Sequence, residues 1–282
     1  VSDTEIDVHF SETIALPSAE IIANYSVNNS IGTPSSATRS ITDSTVVRLV
    51  FSSAFGNGIV NTLSALNLSD NTGNLISVAE SAVFTYLMAD VPAAYDVLIH
   101  EIFPNPTPSF GLPEYEFVEL YNASSKVLDL SGFTLSDGTN TGFLPSQPIV
   151  PGAFLILCNE EDTSSFMPYG TVVGLDSWPS LNNSGDYLAL KDNNGSVIHE
   201  LNYSDTWYND NFKEDGGWTL EMVDPANPCA ESGNWQVSNS STGGTPGIQN
   251  SVHGVNPDTE VPRLLRADAV DSDHVLLTFS EP

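Results

Sequence analysis

The chain is 282 residues long and 40% hydrophobic, and it sets seven Lys+Arg against 36 Asp+Glu for a formal net charge of −29. That length builds about two domains of ordinary size. The charge argues against nucleic acid and anionic membrane as partners, because both require clustered cations to displace counterions.

Helix signals are almost absent: no capped window repeats apolar residues at i, i+3, i+4 and i+7. Short alternating runs cut by Gly, Pro, Asn and Asp recur instead. TEIDVHF puts Ile6, Val8 and Phe10 on one strand face, and STVVRLVF sets Val47, Leu49 and Phe51 against Val46, Arg48 and Val50. Composition shifts near residue 90, at LMADVPAAYD. In EFVELYN, Phe117, Glu119 and Tyr121 point one way and Val118, Leu120 and Asn122 the other. LDLSGFTLSDG is read as two short strands turned at Gly132, and VPGAFLIL as a buried strand after a Pro-Gly turn. YLALKDNNGSVIHELNY is a hairpin around Asn194-Gly195, a pair that suits a type I′ turn. GGWTLEMV places Trp218, Leu220 and Met222 on one buried face. TGGTPGIQNSVHGVNPDTEVP, at 242–262, is rich in Gly, Pro and Asn and reads as a linker. The expected class is all-β, since Thr, Val, Tyr and Phe dominate the runs. No stretch approaches the roughly 20 apolar residues of a membrane helix, so direct membrane insertion is not expected.

The chain closes much as it opens. Phe10-Ser11-Glu12 ends the first strand-like run, and Phe279-Ser280-Glu281 ends the last. PRLLRADAV reads as a leading strand and DSDHVLLTFSEP as a turn and second strand, whereas the N-terminal copy starts on that second strand. Residue 1 already lies in a strand-like pattern with no leader before it, which leads to the expectation of a fragment cut from an exported protein. The expected organisation is a first module at 1–92 lacking its first strand, a middle module at 93–250, a linker at 251–261 and the first strands of a second repeat at 262–282. Two strands alone are marginal in water. The tail is therefore expected to pair with the exposed edge of the first module, in the same molecule or by strand exchange between copies. Packing on the middle module or in a lattice is the alternative.

Two resemblances follow from ordered phrases. DVHFSETI, SAEIIANYSVNN, STVVRLVFSSAF and LNLSDNTGNLI resemble the bacterial Ig-like domains of surface proteins over about residues 1–85, and the tail is similar to the start of a second copy. VLIHEIFPNP, EYEFVELYNASSKVLDLSGFTLSDG, IVPGAFLILC, LNNSGDYLALKDNNGSVIHELNYSDTW, GGWTLEMVDPANPC and NWQVSNSSTGGTPGIQN resemble the lamin tail domain in its bacterial, exported form over about 94–250. These resemblances imply Ig-like β-sandwich modules in tandem. They imply no shared catalytic residues, and a fold does not by itself give a function.

No nucleophile elbow, zinc-protease helix motif or P-loop is present. Cys158 and Cys229 belong to no C-x-x-C pair, and the expectation is one disulfide between them in an exported protein, with two buried thiols as the alternative. His9, His100, His199 and His274 fall in strand-like runs and read as structural, while His253 reads as solvated in the linker. Glu114, Glu116 and Glu119, or Glu160, Glu161 and Asp162, are the closest approach to a carboxylate pair, yet Glu116 and Glu119 should diverge on a strand unless a bulge intervenes. DNTGN at 70–74 and KDNNGS at 191–196 are fragments of a calcium loop without its full register, so Ca²⁺ is a minority reading beside plain turns. Of the four tryptophans, Trp178, Trp207, Trp218 and Trp235, core packing is the first reading, and Trp178 and Trp207 are the candidates for a ligand-facing platform.

The function expected is a non-catalytic structural, spacer or adhesive segment of a larger secreted or surface protein, extracellular or on the cell surface. Its partners would be neighbouring domains of the same parent chain. The alternative is an accessory module that binds glycan or protein beside a secreted hydrolase or nuclease.

Overall fold

The computed structural model describes residues 2–257, 259, 261 and 263–279. The chain divides into two compact units, Val1–Ala89 and Asp90–Pro282. It is all-β, with helical turns of no more than four residues.

The first unit has six strands: β1 (Glu5–His9), β2 (Tyr25–Val27), β3 (Ser36–Arg39), β4 (Val46–Val50), β5 (Val60–Ala65) and β6 (Glu80–Thr85). They form two antiparallel sheets, ordered β1-β4-β3 and β2-β5-β6. Alternation in the sequence sets the packing: Val47, Leu49 and Phe51 are buried while Arg48 points to solvent. They meet Tyr25, Val27 and Leu63 of the other sheet in one core, and Ile6, Val8 and Phe10 pack against it. The buried Tyr25 hydroxyl donates to the Ala19 carbonyl at 2.8 Å, which satisfies its polar end.

The second unit continues with β7 (Val97–Phe103), β8 (Phe117–Asn122), β9 (Leu128–Asp129), β10 (Thr134–Ser136), β11 (Thr141–Phe143), β12 (Pro148–Ile149), β13 (Phe154–Asn159), β14 (Val172–Leu175), β15 (Gly185–Lys191), β16 (Val197–Ser204), β17 (Leu220–Met222) and β18 (Trp235–Val237). A six-stranded sheet, β14-β13-β8-β7-β17-β18, shares a core with a four-stranded sheet, β11-β10-β15-β16. Val118, Leu120, Leu155, Leu157, Leu220 and Met222 point into that core from the first sheet, and Leu135, Leu188, Leu190 and Tyr203 from the second. The opposite face of the six-stranded sheet is covered as well. There Phe103, Phe117, Ile156 and Cys158 pack with Leu112 and Phe166. Cover on both faces explains why β7 is buried at all seven positions.

Four expectations need correction. The β15–β16 hairpin is present, but its turn is not type I′. Among Asp192–Ser196 only Gly195 has positive φ, and the Asp192 carboxylate holds the turn by accepting from the Asn194 and Ser196 amides at 2.9 and 2.8 Å. Trp218 lies outside β17 and is half-buried, whereas Leu220 and Met222 are fully buried. The stretch read as a linker from 242 is docked well past residue 250. The amides of Gly254 and Asn256 donate to the Val223 carbonyl and the Asp224 carboxylate, and the Asn256 side chain to the Gly233 carbonyl. His274 precedes a strand instead of lying in it, with Nδ1 2.8 Å from the Asp271 carboxylate.

In the tail, β19 (Leu264–Ala269) and β20 (Val275–Phe279) pair antiparallel as a two-stranded sheet. Ser280 and Glu281 of the repeated phrase lie outside the described residues.

Candidate functional site

Three adjacent strands of the six-stranded sheet each place a glutamate inside an apolar run: Glu119 on β8, Glu101 on β7 and Glu221 on β17. Glu101 lies directly opposite Glu119 on one side and Glu221 on the other. The three carboxyls thus form a row across the outer face of the sheet, all of them with no exposed surface. Strict alternation would turn Glu101 and Ile99 to the same face. A β-bulge prevents this: Ile99 pairs with Leu120 and Glu101 with Glu119, leaving His100 as the extra residue. The bulge frees two backbone groups, and both find partners. The Ile99 amide donates to His199 Nδ1 at 3.0 Å, and the His100 carbonyl accepts from Asn250 Nδ2 at 2.9 Å.

The segment 243–252 crosses this face as a strap without regular structure, and its donors are spent on the row. The Thr245 amide donates to Glu101 Oε1 at 2.8 Å, beside the Thr219 hydroxyl at 2.6 Å. The Gly247 amide donates to Glu119 Oε2, whose other oxygen lies 3.3 Å from His100 Nδ1. Glu221 accepts from the Thr245 and Ser251 hydroxyls at 2.9 and 2.7 Å and from the Val252 amide at 3.1 Å. Asn250 Nδ2 bonds the Met222 carbonyl as well, at 2.9 Å. A buried irregular segment must place its amide protons somewhere, and the row supplies acceptors along its length.

Burial decides the protonation. It pushes the Glu101 carboxyl up to about 8, with the neighbouring Glu221 charge adding to the rise and the Thr219 and Thr245 donors opposing it. Glu119 is also raised well above the usual carboxyl range, first by burial and then by Glu101. Burial pushes the His100 imidazole down to about 3 and that of His199 to about 4. His100 is therefore neutral, and its contact with Glu119 is a hydrogen bond, not an ion pair. His199 accepts at Nδ1 and directs Nε2 at the Pro228 carbonyl 3.4 Å away, which assigns its proton to Nε2.

Two of the three strands that carry the row, β7 and β8, belong to a stretch with known relatives. Residues 90–205 match the family model of the Lamin Tail Domain. Within the second unit, residues 90–205 form a lamin tail domain. No curated protein matches the chain. Solved structures similar to it include the N-terminal part of the bacterial S-layer protein SbsC, at 13% identity and a TM-score of 0.30 over 72% of this chain and 42% of that one. A DUF4876 family protein from Bacteroides thetaiotaomicron stands at 12% identity and a TM-score of 0.31, over 78% of this chain and 86% of that one. The chain spans about two fifths of the S-layer structure, as the 42% coverage states.

The acids and thiols expected as candidates do not converge among the described residues. Cys158 and Cys229 are both free, and no disulfide joins them. Cys158 is buried among Phe103, Phe117 and Phe166, where burial pushes its thiol up to about 12, whereas Cys229 is half-buried next to Tyr95. Glu116 and Glu119 diverge: Glu116 accepts from Trp178 Nε1 at 2.8 Å and the Leu181 amide at 3.0 Å, while Glu119 joins the buried row. Trp178 is thereby a bracket on the core, and Trp207, the other platform candidate, lines an open groove. Both calcium-loop fragments spend their lead carboxylates on their own turns. Asp70 accepts from the amides and side chains of Thr72 and Asn74, which holds it down to about 2, the Thr72 hydroxyl first. Among the described residues no three His, Cys, Asp or Glu are grouped to hold a metal.

The row itself, Glu101 and Glu221 with Thr245, was not picked out from sequence. The available signal was a lone glutamate inside each of three apolar strands, LIHEIF, EFVEL and TLEMV, since such residues are almost never buried unless partnered. Glu221 and the strap lie beyond residue 205, where the family match ends.

Proposed function

We propose that the chain is a non-catalytic structural segment, a spacer or adhesive module of a larger secreted or surface protein. The observation that carries this reading is the closed carboxylate row. Glu101 and Glu119 are strongly perturbed, as catalytic acids are, yet each of the row's six carboxyl oxygens has a partner in the same chain and none is open to a substrate. Their work is to fasten the strap. The two-sheet first unit and its likeness in sequence to bacterial Ig-like domains agree with a tandem array. The test is an activity screen of the purified chain on nitrophenyl phosphate, bis-nitrophenyl phosphate and nitrophenyl glycosides. No release above buffer is expected; a rate abolished by Glu116→Gln or Asp186→Asn would make this an enzyme. A second reading, an accessory module that binds glycan or protein beside a secreted hydrolase or nuclease, is favoured by the groove at Trp207.

We also propose that the tail pairs with another copy of the chain. Leu276 and Phe279 are 58% and 48% exposed on a two-stranded sheet that buries neither. Light scattering with and without residues 259–282 tests this. A dimer that the deletion turns into a monomer is expected, and a monomer in both preparations rules out exchange between copies.

A further inference from the structure

The second unit is closed over its carboxylate row but open at the β18 edge of the same six-stranded sheet. The short 3-10 turn Asp205–Tyr208 after β16 and the residues that follow it stand against β18, the edge strand. Between them lies a groove of about 790 Å³, within the range of sites for small ligands. Its aromatic wall is Trp207, half-buried, whose ring meets that of the buried Trp235 at 5.9 Å and 38°. Its polar lining is rich in amides: Asn209, Gln236 and Asn239 are exposed, and their side chains make no hydrogen bond among the described residues. Asp210 uses one carboxylate oxygen on the Phe212 and Lys213 amides, at 2.9 and 3.2 Å, and leaves the other free.

The charge of the ligand follows from what is already spent. Lys213 is the one cation at the groove, and its ammonium donates to the Ser238 carbonyl at 2.6 Å while lying 4.3 Å over the Trp218 ring. A phosphate, sulfate or uronate would meet Asp210 and the field of a chain at −29, against which stands a single ammonium already held by the Ser238 carbonyl and the Trp218 ring. The lining asks instead for a neutral molecule with one apolar face for an indole and many hydroxyls for amides and a carboxylate. A pyranose ring has both. We infer that this groove binds a neutral oligosaccharide, with a sugar face on Trp207 and ring hydroxyls bonded to Asn209, Asp210, Gln236 and Asn239.

This goes beyond the spacer reading and is tested apart from it, because turnover and saturable binding are separate readouts. The purified chain is titrated with cellohexaose, mannohexaose, laminarihexaose and chitohexaose by isothermal calorimetry. At least one should bind saturably. Trp207→Ala should weaken that binding at least tenfold, and Gln236→Ala with Asn239→Ala severalfold at an unchanged melting temperature. If Trp207→Ala lowers the melting temperature, the exposed amide pair decides alone. No saturable binding by any of the four sugars overturns the inference, as does binding that the amide pair leaves unchanged.

Discussion

Raising the pH from 6.5 to 8 should destabilise the second unit by on the order of 2 kcal/mol through Glu101 alone, and Glu101→Gln should remove that part of the loss. The folded-state value of about 8 lies above that of an unfolded glutamate, near 4.3, so the folded chain holds the proton more tightly. The stabilisation is complete below the unfolded value and is lost as the pH climbs through the folded one. Glu119, raised in the same direction, adds to the slope. His100 and His199 act oppositely. Their folded values of about 3 and 4 lie below the unfolded 6.5, so what they contribute is present above pH 6.5 and lost as the pH falls towards 3. Between about pH 4.5 and 6.5 the two effects offset one another, which leaves a plateau of greatest stability on the acid side of neutral.

Urea unfolding followed by tryptophan fluorescence across pH 5–9 reads this directly, because all four tryptophans lie in the second unit. Glutamine keeps the acceptor that Thr219 and Thr245 need, so Glu101→Gln should match the parent only near pH 4 and gain on it as the pH rises, by roughly 4–8 °C in melting temperature between pH 6.5 and 8. Glu101→Ala should be weaker at every pH, since it orphans the Thr219 and Thr245 donors at about 1–3 kcal/mol each. Equal alkaline slopes for parent and Glu101→Gln would show that this carboxyl is ionised in the folded chain.

The second large effect is expected at Gly247. Its φ is +82°, a Cβ there would overlap the Tyr169 carbonyl oxygen, and its amide is the donor to Glu119. Gly247→Ala must therefore strain the backbone and lift the strap, at a cost of about 2–5 kcal/mol. Gly195 supplies the control. It has nearly the same φ, +84°, but a Cβ there meets nothing within 4 Å, so Gly195→Ala should cost only the backbone term, about 1–2 kcal/mol. The pair separates conformational strain from close approach. If the two alanine variants melt alike in urea, the strap is not held as tightly as its contacts imply.

Much of the fold is legible along the chain, and the legible part is what period-two alternation controls. Val47 and Leu49 against Arg48, and Val118 and Leu120 against Glu119, take opposite faces because successive strand side chains must. Asn194-Gly195 marks a hairpin, although the Asp192 carboxylate chooses a turn with one positive φ where the dipeptide alone suggests two. The misplacements have a common source in contacts distant in sequence. TGGTPGIQN has the composition of a linker, and only Glu101, Glu119 and Glu221, up to 144 residues away, make it a buried strap. Cys158 and Cys229 differ because one side chain faces the second apolar cluster and the other lies beside Tyr95.

The sequence by itself determined the all-β class, the strand faces, the change of module near residue 90 and the strongly negative charge, all of which depend on residue type and near neighbours. Only the tertiary structure decided that three glutamates stand in one row, because that requires a bulge at His100 and the pairing of strands that begin at residues 97, 117 and 220. Pairing across such separations is set by which apolar faces must be buried together, and no local pattern encodes it. The same holds for the groove at Trp207, whose walls come from residues 205–213 and 232–239 and meet only when β18 closes the sheet edge.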